Sequence, residues 1–232
     1  VARLLLVRHG QASFGAEDYD ALSPLGHEQA LVLGRSLAAR GIKPALVVRG
    51  TMRRHEETLS GVLDGLGSSV PLVSDPGWNE FDFQHVVEVH RPSYRDRTAM
   101  MAELSLSERP DRAFQEVFDA ATLRWSSGEF DPEYAESFTA FRTRVSTALT
   151  DVTALLRQHR DVLVVSSGGP IAMAAALITA GQEFPAALWA SFNRVSVNTG
   201  VTKVIAGRSG LSLSTFNEHT HTEPDPRLLT YR

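Results

Sequence analysis

The chain has 232 residues, 43% of them apolar, a formal net charge of −4 and no cysteine. Such a length supports one large α/β domain or two small ones, and the acidic balance argues against a general nucleic-acid binder, whose partner demands a basic face. Without cysteine there are no disulfides, thiolate zinc sites or cysteine nucleophiles; no stretch approaches the ~18 apolar residues of a membrane span, so a soluble, cytoplasmic protein with no membrane partner is expected.

In chain order, the first apolar run is LLLV at 4–7, and it stops at Arg8, His9 and Gly10. Runs this short and continuous read as strands covered on both faces, as in a parallel sheet. Next, LSPLGHEQALVLGRSLAARG reads as a helix with Ser23 as N-cap, Pro24 in the first turn, Ala30, Leu33 and Leu37 on one face, and Gly41 as the stop. ALVV at 45–48 is a second strand; Arg49 follows it, then Arg53 and Arg54. After VPLVSDPGW the pattern breaks, and 85–136 is polar and arginine-rich without strand periodicity. It reads as a mostly helical cap insertion over one sheet edge, within a single domain spanning 1–232. Its arginines Arg91, Arg95, Arg97, Arg109 and Arg112 are expected to pair with acids such as Asp96 and Asp111.

From about 137 to 159, Phe138, Phe141, Val145, Leu149, Val152 and Leu156 recur at helical spacing. VLVV at 162–165 is a third strand, ending in Ser166, Ser167, Gly168 and Gly169, and a helix is expected from Pro170 to Gly181. The last alternating stretch, turning at 207–210, predicts closing antiparallel strands. Strands alternating with helices imply an α/β three-layer sandwich with a mostly parallel central sheet and helices on both faces.

Ligands of open parallel sheets bind beyond the carboxyl ends of the strands. There this chain sets a histidine, several arginines and a glycine-rich helix start, the chemistry of an anion site, with phosphate the best match. Ser167 precedes glycine at a strand end, but a serine-hydrolase elbow needs glycine two residues earlier, where Val165 stands. His219 and His221 form a His-x-His pair with no third ligand in view, so no metal is expected. His27, His55, His85, His90 and His159 have no partner pattern and read as solvated.

RHGQAS, followed by YDALSPLGHEQA, resembles the opening signature of the histidine phosphatase (phosphoglycerate mutase-like) superfamily. The likeness continues through RRHEET at 53–58, WNEFDF at 78–83, AESFTAFRTRV and VLVVSSGGPIA, nearly the whole chain. Two positions depart from it. Ser167 stands where members usually carry a second histidine, and Gly15 falls where an asparagine is usual.

The resemblance implies that His9 is the nucleophile, held neutral and forming a phosphohistidine that water hydrolyses. Arg8 and Arg54 would hold the phosphoryl oxygens, with Gly10, Ser167 and Gly168 completing the phosphate site. Glu80 would protonate the leaving alkoxide and then activate water, with Asp82 able to exchange roles with it. His221, or His219, could fold back over the pocket, His221 being the better match to the family's terminal histidine. No cofactor is implied. The expected function is hydrolysis of phosphomonoesters, on a phosphorylated small molecule or phosphopeptide. The alternatives are a catalytically weak phosphate-recognising protein of the same fold and a phosphoglycerate mutase, the latter disfavoured because FDFQHVVEVH replaces the mutases' basic and aromatic pair after the acidic residue. Oligomeric state is not legible.

Overall fold

The computed structural model describes residues 1–13 and 20–231. They divide into two compact units, Val1–Glu80 with Val145–Arg232, and Phe81–Arg144.

In the first unit the three apolar runs become β1 (Ala2–Arg8), β2 (Leu46–Arg49) and β4 (Asp161–Ser166). They pair in parallel in the order β2, β4, β1. Side chains alternate across a strand, so Leu5, Val7, Leu163 and Val165 take one face of the sheet and Leu4, Leu6, Val162 and Val164 the other. All eight are buried, which is why these strands read as unbroken apolar runs. The first face packs on Ala30, Leu33 and Leu37 of α1 (Pro24–Ala39) and on Leu59 and Val62 of α2 (Arg53–Leu66). α7 (Gly168–Ala180) is buried along its first ten residues, so it carries no polar face. The final strands β5 (Val201–Gly207) and β6 (Gly210–Glu218) form an antiparallel hairpin added beside β1.

Three features went unread in the sequence. β3 (Leu72–Ser74) pairs in parallel with β2 and completes the sheet order β3-β2-β4-β1-β5-β6. With three exposed residues it has no periodicity to detect. α8 (Ala186–Arg194) buries only Trp189. α7 starts at Gly168, two residues before the expected Pro170.

Sequence signals at α1 act as local chemistry predicts. Ser23 caps the helix by accepting from the Gly26 amide, Pro24 follows it, and Gly41 just past the end takes φ of +67°.

The second unit is helical, with α3 (Phe83–His90), α4 (Arg97–Leu104), α5 (Pro110–Ser126) and the first turns of α6 (Phe138–Leu155). Its core is aromatic. Phe81 stacks on Trp125 at 4.6 Å, and Phe138 meets Trp125 edge-on at 5.1 Å. Arg91 pairs with Glu103 at 2.6 Å and Arg109 with Asp111, while Asp96, expected to pair with an arginine, caps α4 through the Thr98 amide. Asp82 likewise caps α3 by accepting from the His85 amide.

Close approach at the end of β1 needs glycine on both sides. A Cβ on Gly26 would lie 2.2 Å from the Gln11 carbonyl oxygen, and one on Gly10 would lie 2.5 Å from the Gly26 carbonyl oxygen. Gly26→Ala gains about 1 kcal/mol of helix propensity, but overpacking against backbone costs about 1–3 kcal/mol. A net loss of stability is expected in urea unfolding, and a stabilised variant would show that α1 can shift away.

Candidate active site

Parallel pairing sets Arg8 opposite Ser166, and Arg49 opposite Val165. The residues that follow therefore emerge at one edge: His9, whose amide donates to the Ser166 carbonyl, comes level with Ser167, and Gly50, whose amide donates to the Val165 carbonyl, lies one residue back, level with Ser166. Helix α2 starts three residues after Gly50 and carries Arg54 to this edge. Thr58, one turn on, ties the helix in place, accepting from the Gly10 amide at 2.9 Å and donating to the Arg54 carbonyl at 2.7 Å.

His9 is 7% exposed, and its Nδ1 lies 2.7 Å from the Gly10 carbonyl oxygen. A carbonyl only accepts, so Nδ1 carries the proton of a neutral ring and Nε2 keeps the lone pair. Burial above all, then the Arg54 and Arg8 guanidiniums and His55, hold this imidazole well below its ordinary range, against the opposing Gly10 carbonyl. At neutral pH the ring is uncharged and able to attack an electrophile.

Arg54 is 5% exposed, its charge balanced by Asp20, whose Oδ1 accepts from Nη1 at 2.8 Å. The other oxygen of Asp20 accepts from the Arg53 amide at the start of α2. Arg8 sits at the end of β1, where Nη1 donates to the Ser196 carbonyl and, at 3.0 Å, to the Tyr231 carbonyl. A Cβ on Gly168 would come within 3.6 Å of Arg8 Nε, so this guanidinium lies beside the start of α7.

Glu80 reaches the same helix start, its Oε2 accepting from the Gly169 amide at 3.1 Å. Two contacts hold its segment there. Ser166 donates to the Trp78 carbonyl at 2.7 Å, and the Asn79 side chain both accepts from the Thr51 amide and donates to its hydroxyl, each at 2.7 Å. Asp82 is exposed and occupied as the α3 cap. Gly15, where the resemblance aligns an asparagine, lies outside the described residues.

His55 is the residue that sequence reasoning missed. Expected in solvent, it is fully buried, its ring centroid 5.9 Å from that of His9, and its Nε2 is 2.8 Å from Ser167 Oγ. The signal was present: the buried stripe of α2 runs Arg54, His55, Thr58, Leu59, Val62, so counting back four residues from Leu59 puts His55 on the inner face. Burial, then Arg54 and Arg49, push this imidazole down to about 3.

The two tail histidines part company. His219 Nδ1 bonds the Asn217 carbonyl at 2.6 Å. His221 is buried, with Nε2 2.9 Å from Thr199 Oγ1. Thr199 gives its own hydroxyl proton to the Asn198 carbonyl, so His221 is the donor of the pair. The Thr199 amide bonds the Arg8 and His9 carbonyls, which links His221 to the His9 backbone through one residue. Burial holds His221 at about 4. Among the described residues, no group of three His, Cys, Asp or Glu could hold a metal ion.

Residues 4–219 match the histidine phosphatase superfamily (branch 1). A 2,3-bisphosphoglycerate-dependent phosphoglycerate mutase of Chelativorans sp. is 29% identical over 101 residues, 40% of this chain and 49% of that protein. The chain thus spans about half the length of the curated relatives it matches. Among solved structures, phosphoglycerate mutase from Bacillus anthracis superposes with a TM-score of 0.66 at 20% identity, covering 96% of this chain and 95% of that one. Mycobacterial glucosyl-3-phosphoglycerate phosphatase superposes with a TM-score of 0.63 at 20% identity, covering 95% and 100%. At such identities the superpositions establish a shared fold, an α/β architecture with a six-stranded, mostly parallel sheet.

His221, held neutral in the folded chain, binds a proton more readily once unfolded, where its ordinary value of 6.5 returns. The unfolded state therefore binds more protons between pH 6.5 and about 4, and stability falls as pH drops through that window. A loss of ~1–2 kcal/mol from this group is expected between pH 7 and 5, read from urea midpoints. His221→Gln should remove that share of the slope and leave the share that His9 and His55 contribute with the same sign; an unchanged slope would show that His221 has no part in the acid sensitivity.

Proposed function

Since the chain belongs to the histidine phosphatase superfamily, we propose that it hydrolyses phosphomonoesters through a phosphohistidine on His9. The observation that carries this reading is the His9 ring, neutral, nearly buried, its Nδ1 proton committed to Gly10 and its Nε2 lone pair retained among arginines.

In the first step Nε2 attacks phosphorus. The N–P bond forms, the P–O bond to the alcohol breaks, and Glu80 gives its proton to the departing alkoxide oxygen. In the second, Glu80 takes a proton from water, the water oxygen bonds phosphorus, and the N–P bond breaks to return His9 and release phosphate. Arg54 and Arg8 stabilise charge spread over the phosphoryl oxygens, and permanently charged guanidiniums suit that role. The phosphate site on this reading also includes Gly10, Ser167 and Gly168. Phosphorylated small molecules are the favoured substrate class, because proteins of the same fold include a phosphoserine phosphatase and a glucosyl-3-phosphoglycerate phosphatase.

Incubation with a labelled phosphomonoester and quenching in base should trap label on His9, and His9→Ala should abolish turnover while melting as the wild type does. Label on a serine, or full activity in His9→Ala, would overturn the assignment. Sulfate, as a phosphate surrogate, should raise the melting temperature by mass action, by about 2.7 kcal/mol of stability at a hundredfold excess over Kd. In Arg54→Ala most of that shift should vanish; if it persists, Arg54 is not part of the anion site.

A further inference from the structure

His55 has no part in the mechanism above, yet α2 delivers its imidazole into the same pocket as His9. Its partner, Ser167, is unusual in a second way. A serine at an N-cap normally accepts from an amide of the helix it starts. Ser167 is the N-cap of α7 and makes no such bond. Its hydroxyl is turned instead to a histidine 112 residues away, and both groups are fully buried.

The direction of that hydrogen bond follows from the far side of the ring. His55 Nδ1 is buried without a hydrogen-bond partner; the Gly50 carbonyl favours a protonated ring but falls short of hydrogen-bond geometry. Orphaned buried N–H groups are rarer than under-satisfied acceptors, so the single proton of the neutral ring belongs on Nε2. His55 then donates to Ser167 Oγ. The serine keeps its own proton to give, next to the Gly168 and Gly169 helix start and level with His9.

We propose that His55 and Ser167 act as one hydrogen-bond donor to the phosphoryl group: His55 is a positioning residue that fixes the Ser167 hydroxyl, and Ser167 donates to a phosphoryl oxygen. A histidine at position 167, where the family resemblance expects one, would bring an imidazole from the end of β4. Here the ring comes from α2 and a hydroxyl completes the reach. This rests on the phosphohistidine reading of His9.

The test uses the full chain with p-nitrophenyl phosphate. His55→Leu, which keeps bulk without a donor, and Ser167→Ala should each lower kcat by about 10- to 150-fold. The double variant should be no slower than either single, because the two remove one donor between them. His55→Gln, whose side-chain amide can still donate near Ser167 Oγ, should stay within about threefold of wild type. That rescue is not expected if the imidazole only fills space.

Singles that stay within threefold of a wild type that does form phosphohistidine would overturn the proposal and leave the phosphatase reading intact. So would losses that multiply in the double variant, or a His55→Gln as slow as His55→Leu. If the wild type forms no phosphohistidine, the phosphatase reading fails separately, and calorimetric sulfate binding decides the pair. Equal, non-additive weakening by His55→Leu and Ser167→Ala supports the shared donor, and unchanged affinity overturns it.

Discussion

The pairing of β1 with β4 is the constraint on which everything else in the first unit depends. Six consecutive residues run in parallel register from Arg3 opposite Asp161 to Arg8 opposite Ser166. At its start the register is locked by a two-pronged ion pair, Arg3 Nε and Nη2 to the two oxygens of Asp161 at 2.6 and 2.7 Å. A slip of one residue would exchange the faces of Leu4 and Leu6 with those of Leu5 and Val7 and carry Arg8 to the wrong side. With both faces buried, such a slip has no compensating arrangement. The meeting of His9, Gly50 and Ser167 at one sheet edge is thus a by-product of core packing, and the candidate site inherits the rigidity of the sheet.

What the sheet edge then collects is a set of groups that would be costly to bury singly. Arg54 is buried beside Asp20, and Thr58 uses its hydroxyl twice, once for Gly10 and once for Arg54. Charges removed from water demand such partners. The same low dielectric keeps the imidazoles neutral, since a further positive charge is disfavoured beside Arg54 and Arg8 at His9 and beside Arg54 and Arg49 at His55. The neutral rings of His9, His55 and His221 share one main cause, the burial of their imidazoles.

Mutases and phosphatases share this architecture, as the superposed structures illustrate. If His9 carries a phosphoryl group, as proposed, that group can pass either to an alcohol or to water. On that reading the strand ends serve both outcomes, because His9 and the arginines act before the two paths part. On the same reading, selection between them falls to groups that admit or exclude a second substrate.

Local signals in the sequence were sufficient for much of this. The apolar runs of β1, β2 and β4, the Ser23 cap and Gly41 stop of α1, and the closing hairpin are each written in a few adjacent residues, because periodicity and capping are short-range effects. The delivery of Arg8 and His9 to a strand end was legible for the same reason. Tertiary structure alone decided which groups meet. Arg8 reaches the Ser196 and Tyr231 carbonyls across 188 and 223 residues, Ser166 holds the Trp78 carbonyl across 88, and His55 finds Ser167 across 112. Helical spacing from Leu59 puts His55 on the inner face of α2, but what the ring meets there depends on the strand behind it. The hydrogen-bond partner of that ring is set by a strand distant in sequence, and no window along the chain contains it.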